Sequence, residues 1–497
     1  MSERTDVLPV LIVGAGPAGL TAAIALARHG VGSLLVERRP ALSGLPRATV
    51  ISTRSMELFR SWGLEDEIRA SGLDVEWRMW IGETLARVST GSTLEVGLPT
   101  RQQSALVSPT VPACVSQDHL EPILLRHLRS LAVTEVRLGT AVDSVANGPD
   151  GIRAVLRDIA TGRTRTVEAR YLIGSDGAHS TVRSALGIPM RGPERLRDVV
   201  TALFRAPLWD VLGARRYGIY AVNHAGVEAS FLPAGPGDRW LFGLQYEPGR
   251  HELAEFTEER LTSLIRLGSG VAALQPRIER IGGFSFAAQL ADRFRDGAAF
   301  LIGDAAHRVT PRGGTGMNTA IHDGYDLGWK LAWVLRGWAR PELLDSYEAE
   351  RRPVAEHNVA RSADPHGSLR RVEQELHADI GGRIEHIWLH DHDEVSTLDL
   401  LGPGLTLFTG PASGRWATAA IGTGPVPVDA RSLDGLTARA LGIPRDGALL
   451  ARPDGMPVAL WSHDHDVRTS LRCAIETVVS GGPSDRGDPA RAHAQHG

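Results

Sequence analysis

Near the start of the chain the mostly apolar run of residues 7–13 stops abruptly at Gly14-x-Gly16-x-x-Gly19. An alanine- and leucine-rich stretch, 17–29, follows and is closed by Gly30, and residues 33–37 form a second buried run ending at Glu37. Strand, tight turn, helix and strand in that order make a βαβ unit. The three glycines serve different purposes. Gly14 allows the sharp turn, Gly16 lets a pyrophosphate approach the backbone, and Gly19 lets helix and strand pack closely. The free N–H groups at the helix start favour an anion, and Glu37 can accept from both hydroxyls of an adenosine ribose. The unit therefore predicts dinucleotide binding.

Two later blocks repeat the pattern of a buried strand ending at glycine. Residues 298–303 lead into Gly303-Asp304-Ala-Ala-His307, then Pro311-Arg-Gly313-Gly314-Thr-Gly316-Met317-Asn318 and a long helix, 316–336. An aspartate at a strand end can hold a polyol hydroxyl, which the ribityl chain of a flavin has and NAD lacks. The glycine loop lets a flat ring lie against the backbone, and the helix start places its dipole near the flavin N1–O2 edge. The other block, residues 169–174 followed by Ser175-Asp176-Gly177, makes a turn that can present a carboxylate near the diphosphate.

Between these blocks, residues 54–71 and 117–131 read as helices, 75–98 and 133–155 as strands, and 199–286 as short aromatic-rich strands broken by one helix near 257–267. Beyond residue 393 glycine and proline become frequent, and residues 481–497 read as a disordered tail. With 497 residues the chain exceeds one core. A net charge of −4 without charge blocks disfavours nucleic acid. Two cysteines, Cys114 and Cys473, disfavour a disulfide scaffold or zinc site. No apolar run approaches a membrane span, so the expectation is a cytoplasmic protein. Lys330 is the only lysine among 54 basic residues.

The three glycine blocks in this order, with Gly316-Met-Asn-Thr-Ala-Ile-His-Asp323, Gly328-Trp-Lys330-Leu and Tyr347-Glu-x-Glu-Arg351-x-Pro353, resemble the single-component (group A) FAD-dependent aromatic monooxygenases over about residues 7–360. The resemblance implies an α/β fold: a GxGxxG flavin domain with a parallel sheet (1–72, 101–185, 291–375) and an interleaved β-sheet substrate domain (73–100, 186–290). It adds Arg47, as the arginine that contacts FAD and helps position the pyridine nucleotide, and Gln117, as the contact to the ribityl chain. The resulting cofactor-binding set is Gly14, Gly16, Pro17, Ala18, Gly19, Glu37, Arg38, Arg47, Gln117, Asp176, Gly303, Asp304, Pro311, Gly314, Gly316, Met317 and Asn318.

Residues 395–480 resemble the small thioredoxin-like C-terminal domain of the aromatic polyketide hydroxylase branch, here without a CxxC pair and hence without thiol chemistry. The branch implies a polycyclic aromatic, polyketide-type substrate and O2, with NADPH or NADH as a transient donor and oxygen transferred from a flavin C4a-hydroperoxide. A single GxGxxG agrees with a nicotinamide that visits and leaves. No side chain identifies itself as a catalytic base. The His-Asp-His-Asp runs at 390–393 and 463–466 read as solvated turns, with no metal expected. A homo-oligomer is compatible with the sequence. A Baeyer–Villiger oxygenase on the same scaffold, a flavin-dependent reductase or dehydrogenase of a hydrophobic substrate, and a non-catalytic flavoprotein remain the competing readings.

Overall fold

The computed structural model describes residues 7–149, 151–366, 371–389, 394–462 and 466–482. Leu8–Val13 lies at the centre of a sheet, flanked by Ser33–Glu37 on one side and Thr164–Gly174 on the other, with Thr134–Leu138 and Ala299–Leu301 beyond them. These five strands run parallel, and their register sets Val13 beside Val36 and Gly174, and Gly174 beside Leu301. Leu8–Val13, Ser33–Glu37, Ala299–Leu301 and the end of Thr164–Gly174 are largely buried on both faces, which explains their apolar runs, while Thr134–Leu138 at the edge is partly exposed. Because their carboxyl ends align, three loops distant in sequence emerge side by side, after Val13, Gly174 and Leu301. A crevice beyond the carboxyl ends of parallel strands is where this architecture binds ligands.

Two helices start at that edge, Pro17–Arg28 and Gly316–Leu335. They pack against each other so closely that a β-carbon on Gly324 would lie 2.3 Å from the Ala18 carbonyl oxygen, and one on Gly328 would lie 2.6 Å from the Ala25 β-carbon. Only small residues permit this approach, and it brings both helix N-termini to the same crevice.

A seven-stranded sheet stands over the crevice, in the order Arg277–Phe286, Arg197–Arg205, Arg239–Tyr246, Val227–Gly235, Tyr217–His224, Glu76–Gly82 and Ser92–Glu95. Its outer face buries Trp80, Phe204, Tyr220, Phe231, Trp240 and Phe242 against the helix Glu258–Ser269. The C-terminal unit has four strands in the order Val428–Ser432, Leu405–Thr409, Ala448–Ala451, Pro457–Trp461, the first pair parallel and the others antiparallel. With helices Gly414–Ala420, Gly435–Ala440 and Val467–Val479, this is the thioredoxin-like arrangement. Cys473 is exposed and Cys114 is buried elsewhere, so the two thiols form no pair.

The chain's single lysine helps to fasten this unit. Lys330 Nζ, fully buried, donates to Asp326 (2.8 Å) and Glu350 (2.9 Å), and Arg452 from the C-terminal unit binds Glu350 (2.7 Å) and Asp454 (2.5 Å). Asp326, Glu350 and Asp454 lie close enough together to resemble a metal cluster, but the two cations sit among them as partners. Buried charges are tolerated only when paired in this way.

Several element boundaries differ from expectation. The helix of 54–71 is two, Thr53–Ser61 and Glu65–Ala70, because Gly63 turns the chain with a positive φ of 73°. A short helix, Leu208–Leu212, was not visible in the sequence pattern. Residues 390–393, 463–465 and 483–497 lie outside the described residues. Asp466 caps the last helix by accepting from Thr469 N (3.1 Å). Among the described residues no helix is long and apolar enough to cross a membrane.

Candidate active site

At the first turn, Gly14 adopts a φ of +107°, and a β-carbon there would lie 2.3 Å from the Ser175 carbonyl oxygen. The two loops are stitched together: Ser175 N donates to Val13 O (2.8 Å), and Ser175 Oγ lies within bonding distance of Val13 O (2.8 Å) and Gly14 O (2.9 Å). At Gly16 a β-carbon would meet nothing within 4 Å, leaving the start of Pro17–Arg28 approachable. No side chain caps that helix, so its first N–H groups face the crevice as donors. Glu37 accepts from Ala15 N and Arg39 N, both at 3.0 Å, which fixes its carboxylate beside the turn. This cradle fits a dinucleotide diphosphate and ribose.

Across the crevice Asp304 is exposed to the large cavity, its carboxylate open to it. Desolvation by the surrounding cavity walls raises its pKa, opposed by the charges of His307, Arg47 and Arg308. Gln117, the first residue of Gln117–Ser130, donates from Nε2 to Glu121 Oε1 (2.7 Å), and both line the cavity. Sequence reasoning missed Glu121, although one helical turn separates it from Gln117. Burial pushes its carboxyl up to about 7 against the Gln117 hydrogen bond and the Arg47 charge.

The direction of that shift sets a pH dependence. A carboxyl whose folded pKa is raised stays protonated in the folded chain while it ionises in the unfolded one. Stability therefore falls as pH rises from about 4.5 to about 7, by up to about 3 kcal/mol. Urea unfolding of the apoprotein should show Glu121→Gln gaining on the parent between about pH 5 and about pH 8. A difference that does not move with pH would refute the assignment.

The loop before Gly316–Leu335 is glycine-dependent. Gly314 has a φ of +63°, and a β-carbon there would lie 2.4 Å from Val50 Cγ1. Asn318 is fully occupied within the protein: Nδ2 donates to Val50 O (3.2 Å) and Gly314 O (2.9 Å), while Oδ1 accepts from Ser52 N (2.8 Å) and Ser55 Oγ (2.9 Å). Behind the Gly303–Asp304 turn, the buried Asp323 carboxylate accepts from Gly303 N (3.1 Å) and Arg351 Nε (2.8 Å) and lies 2.6 Å from His307 Nε2. Burial alone would raise the Asp323 pKa, but His307 and Arg351 hold it well below the usual carboxylate range. This buried trio was not legible in the sequence.

One cavity of about 2160 Å³ joins these features to the inner face of the seven-stranded sheet. It is lined by Gly14, Gly16, Pro17, Ala18, Glu37, Arg38, Arg47, Gln117, Asp176, Asp304, Pro311, Gly314, Gly316 and Met317. Gly19, Gly303 and Asn318 of the expected set do not line it, and in this structure they brace the surrounding turns. A β-carbon on Gly19 would lie 2.0 Å from Gly14 O, one on Gly303 would lie 3.0 Å from the Ala320 β-carbon, and Asn318 ties the loop to Val50. Asp176 borders the cavity, but its carboxylate is turned to the helix Thr181–Ala185, accepting from Ser180 Oγ (2.5 Å), Thr181 N (2.7 Å) and Val182 N (3.1 Å). A second cavity of about 810 Å³ lies beyond the Gly313–Gly314 turn.

Comparison with known proteins agrees with this geometry. Residues 7–362 match the FAD binding domain family, and residues 377–481 match the aromatic-ring hydroxylase C-terminal family. The chain belongs to the FAD-dependent aromatic-ring hydroxylases. The hydroxylase is 33% identical to tetracenomycin A2 monooxygenase-dioxygenase of Streptomyces glaucescens, over 96% of this chain and 97% of that protein. It is 32% identical to 4-methyl-5-nitrocatechol 5-monooxygenase of a Burkholderia species, over 95% and 97%. Among solved structures, aklavinone-11 hydroxylase in a ternary complex with FAD and aklavinone superposes with a TM-score of 0.84 at 32% identity, covering 95% of the hydroxylase and 99% of that chain.

Proposed function

We propose that the hydroxylase inserts one atom of O2 into a polycyclic aromatic, polyketide-type substrate, using NADPH or NADH as a passing electron donor. The observation that carries this reading is the single cavity running from the nucleotide cradle to the open sheet face. When bound, FAD supplies the acceptor for the donor's electrons and the site of O2 activation, and the protein supplies binding, orientation and exclusion of water. In this reading the first turn of Pro17–Arg28 and Gly16 take the diphosphate, Glu37 the adenosine ribose, and Asp304 with Gln117 the ribityl chain. Arg47, beside Asp304 and Glu121, places positive charge at the middle of the cofactor. The start of Gly316–Leu335 offers backbone N–H donors and the positive end of its dipole to the ring edge that gains charge on reduction. The Asp323–His307–Arg351 trio holds the Gly303–Asp304 turn in place. Tetracenomycin-type and aklavinone-type relatives support a polycyclic substrate.

The test is anaerobic stopped-flow reduction by NADPH with and without polycyclic phenols, followed by aerobic turnover under heavy-isotope O2. Acceleration by one compound and one labelled oxygen in its product are expected. Equal reduction rates with and without every aromatic, and no label in any product, would leave a reductase. Product analysis separates ring hydroxylation from Baeyer–Villiger insertion. Asp304→Ala should weaken FAD binding by roughly 10- to 100-fold, the worth of a hydrogen bond to a charged group. Undiminished flavin content after dialysis would remove Asp304 from the site.

A further inference from the structure

The two faces of the seven-stranded sheet are built from side chains of opposite size. Side chains alternate along a strand, and the outer face is filled by buried aromatics. On the inner face one register row crosses five strands: Gly282 pairs with Thr201, Thr201 with Gly243, Gly243 with Ser230, and Ser230 with Ala221. All five line the large cavity. A sheet face on solvent carries long charged or polar side chains and one on a core carries large apolar ones; this row has only small side chains, two of them hydroxyls, and no charge. Nor does the backbone require its glycines, since neither Gly243 nor Gly282 has a positive φ. A β-carbon at Gly243 would meet only Val199 Cγ1, at 3.8 Å, and one at Gly282 only Thr201 Oγ1, at 3.8 Å. Both positions are open toward the cavity. Glycine inside a strand weakens it and marks a place where another molecule approaches the backbone closely.

The rows on either side complete a graded wall. Leu203, Leu241 and Leu232 pair side by side in one flanking row. In the other, Gln245 pairs with Val199 and Asn223 pairs with Glu228, and Gln245 Oε1 accepts from Arg197 Nη1 (2.9 Å) while keeping its amide N–H2 as donor. Four strand spacings give the small-residue row a length on the order of 19 Å, enough for several fused rings and far more than one phenol needs.

Resting on the hydroxylase reading of this cavity, we infer that Gly282, Thr201, Gly243, Ser230 and Ala221 form a flat floor that selects planar multi-ring substrates. The substrate lies across the strands, its apolar edge toward Leu203 and Leu241 and its oxygenated edge toward Gln245 and Asn223. Gly243 is the position that decides substrate thickness, because any side chain there rises into the middle of the floor.

The holoenzyme can be titrated with alizarin, a planar three-ring phenol, and with catechol, following the flavin absorbance change. The parent is expected to bind alizarin the more tightly. Gly243→Leu should raise the alizarin Kd by about tenfold or more and change that of catechol by less than about twofold. Gly243→Ala should give a smaller shift in the same direction, and covers the case in which the leucine variant does not fold. Equal losses for both ligands, unchanged alizarin binding in either folded variant, or a parent that binds catechol as tightly as alizarin would each overturn the floor. These outcomes are separate from failure of the hydroxylase reading, which would show as a parent holoenzyme whose NADPH oxidation no aromatic compound accelerates.

Discussion

Gly14→Val should yield a protein that emerges from gel filtration without flavin. The residue combines a φ of +107° with a β-carbon position 2.3 Å from the Ser175 carbonyl oxygen and 3.0 Å from Asp176 Cα. A β-branched side chain opposes that backbone conformation, and the contacts are to backbone, which cannot rotate away. Relief requires the Gly14 and Ser175 turns to separate, breaking the Ser175 bonds to Val13 and Gly14 and displacing the first N–H groups of Pro17–Arg28. The measurement is the flavin-to-protein absorbance ratio, with circular dichroism to confirm that the sheet persists. Gly16→Ala is the companion variant. It meets nothing within 4 Å in the protein, so it should fold normally and still bind FAD more weakly, because its methyl group enters the space the diphosphate needs. Full yellow colour in Gly14→Val would place the cofactor elsewhere.

Asp323→Ala should cost about 3–5 kcal/mol of stability, the usual result of removing one partner from a buried ionic network. Arg351 and His307 would be left without their shared carboxylate, and Gly303 N without its acceptor. Because the folded pKa of Asp323 is depressed, its contribution is present above the ordinary carboxylate range and is lost as pH falls below it. The parent should therefore lose stability in acid more steeply than the variant. Chemical denaturation near neutrality and at pH values below the ordinary carboxylate range tests both statements. A variant within about 1 kcal/mol of the parent at neutral pH would show that the trio is dispensable, since a change that small is typical of ordinary sites.

The two helices that begin at the cradle also show why the cofactor's supports were harder to read than its cradle. The βαβ unit is local: strand, glycine turn, helix and Glu37 follow one another directly along the chain, and their chemistry follows from spacing alone. The Gly303–Asp304 block and the glycine loop were legible for the same reason, each being a strand end followed directly by its turn. Lys330 stood out as the only lysine, but only packing revealed it as a buried tie between two helices, one of which also binds Arg452 of the C-terminal unit.

What the sequence by itself determined was the set of turns, the helix starts and the acids and glycines placed on them, because these depend on interactions between near neighbours. Tertiary structure decided which of those groups face the cavity. Asn318 and Asp176 carry the right chemistry, yet their polar atoms are taken by Val50, Gly314, Ser52, Ser55 and the helix at Thr181. Gly19 and Gly303 serve packing. Tertiary structure alone decided the small-residue floor as well. Positions 201, 221, 230, 243 and 282 have no common period, and they become neighbours only when strand pairing fixes a register, through short hairpins for 221, 230 and 243 and through pairing of distant segments for 201 and 282.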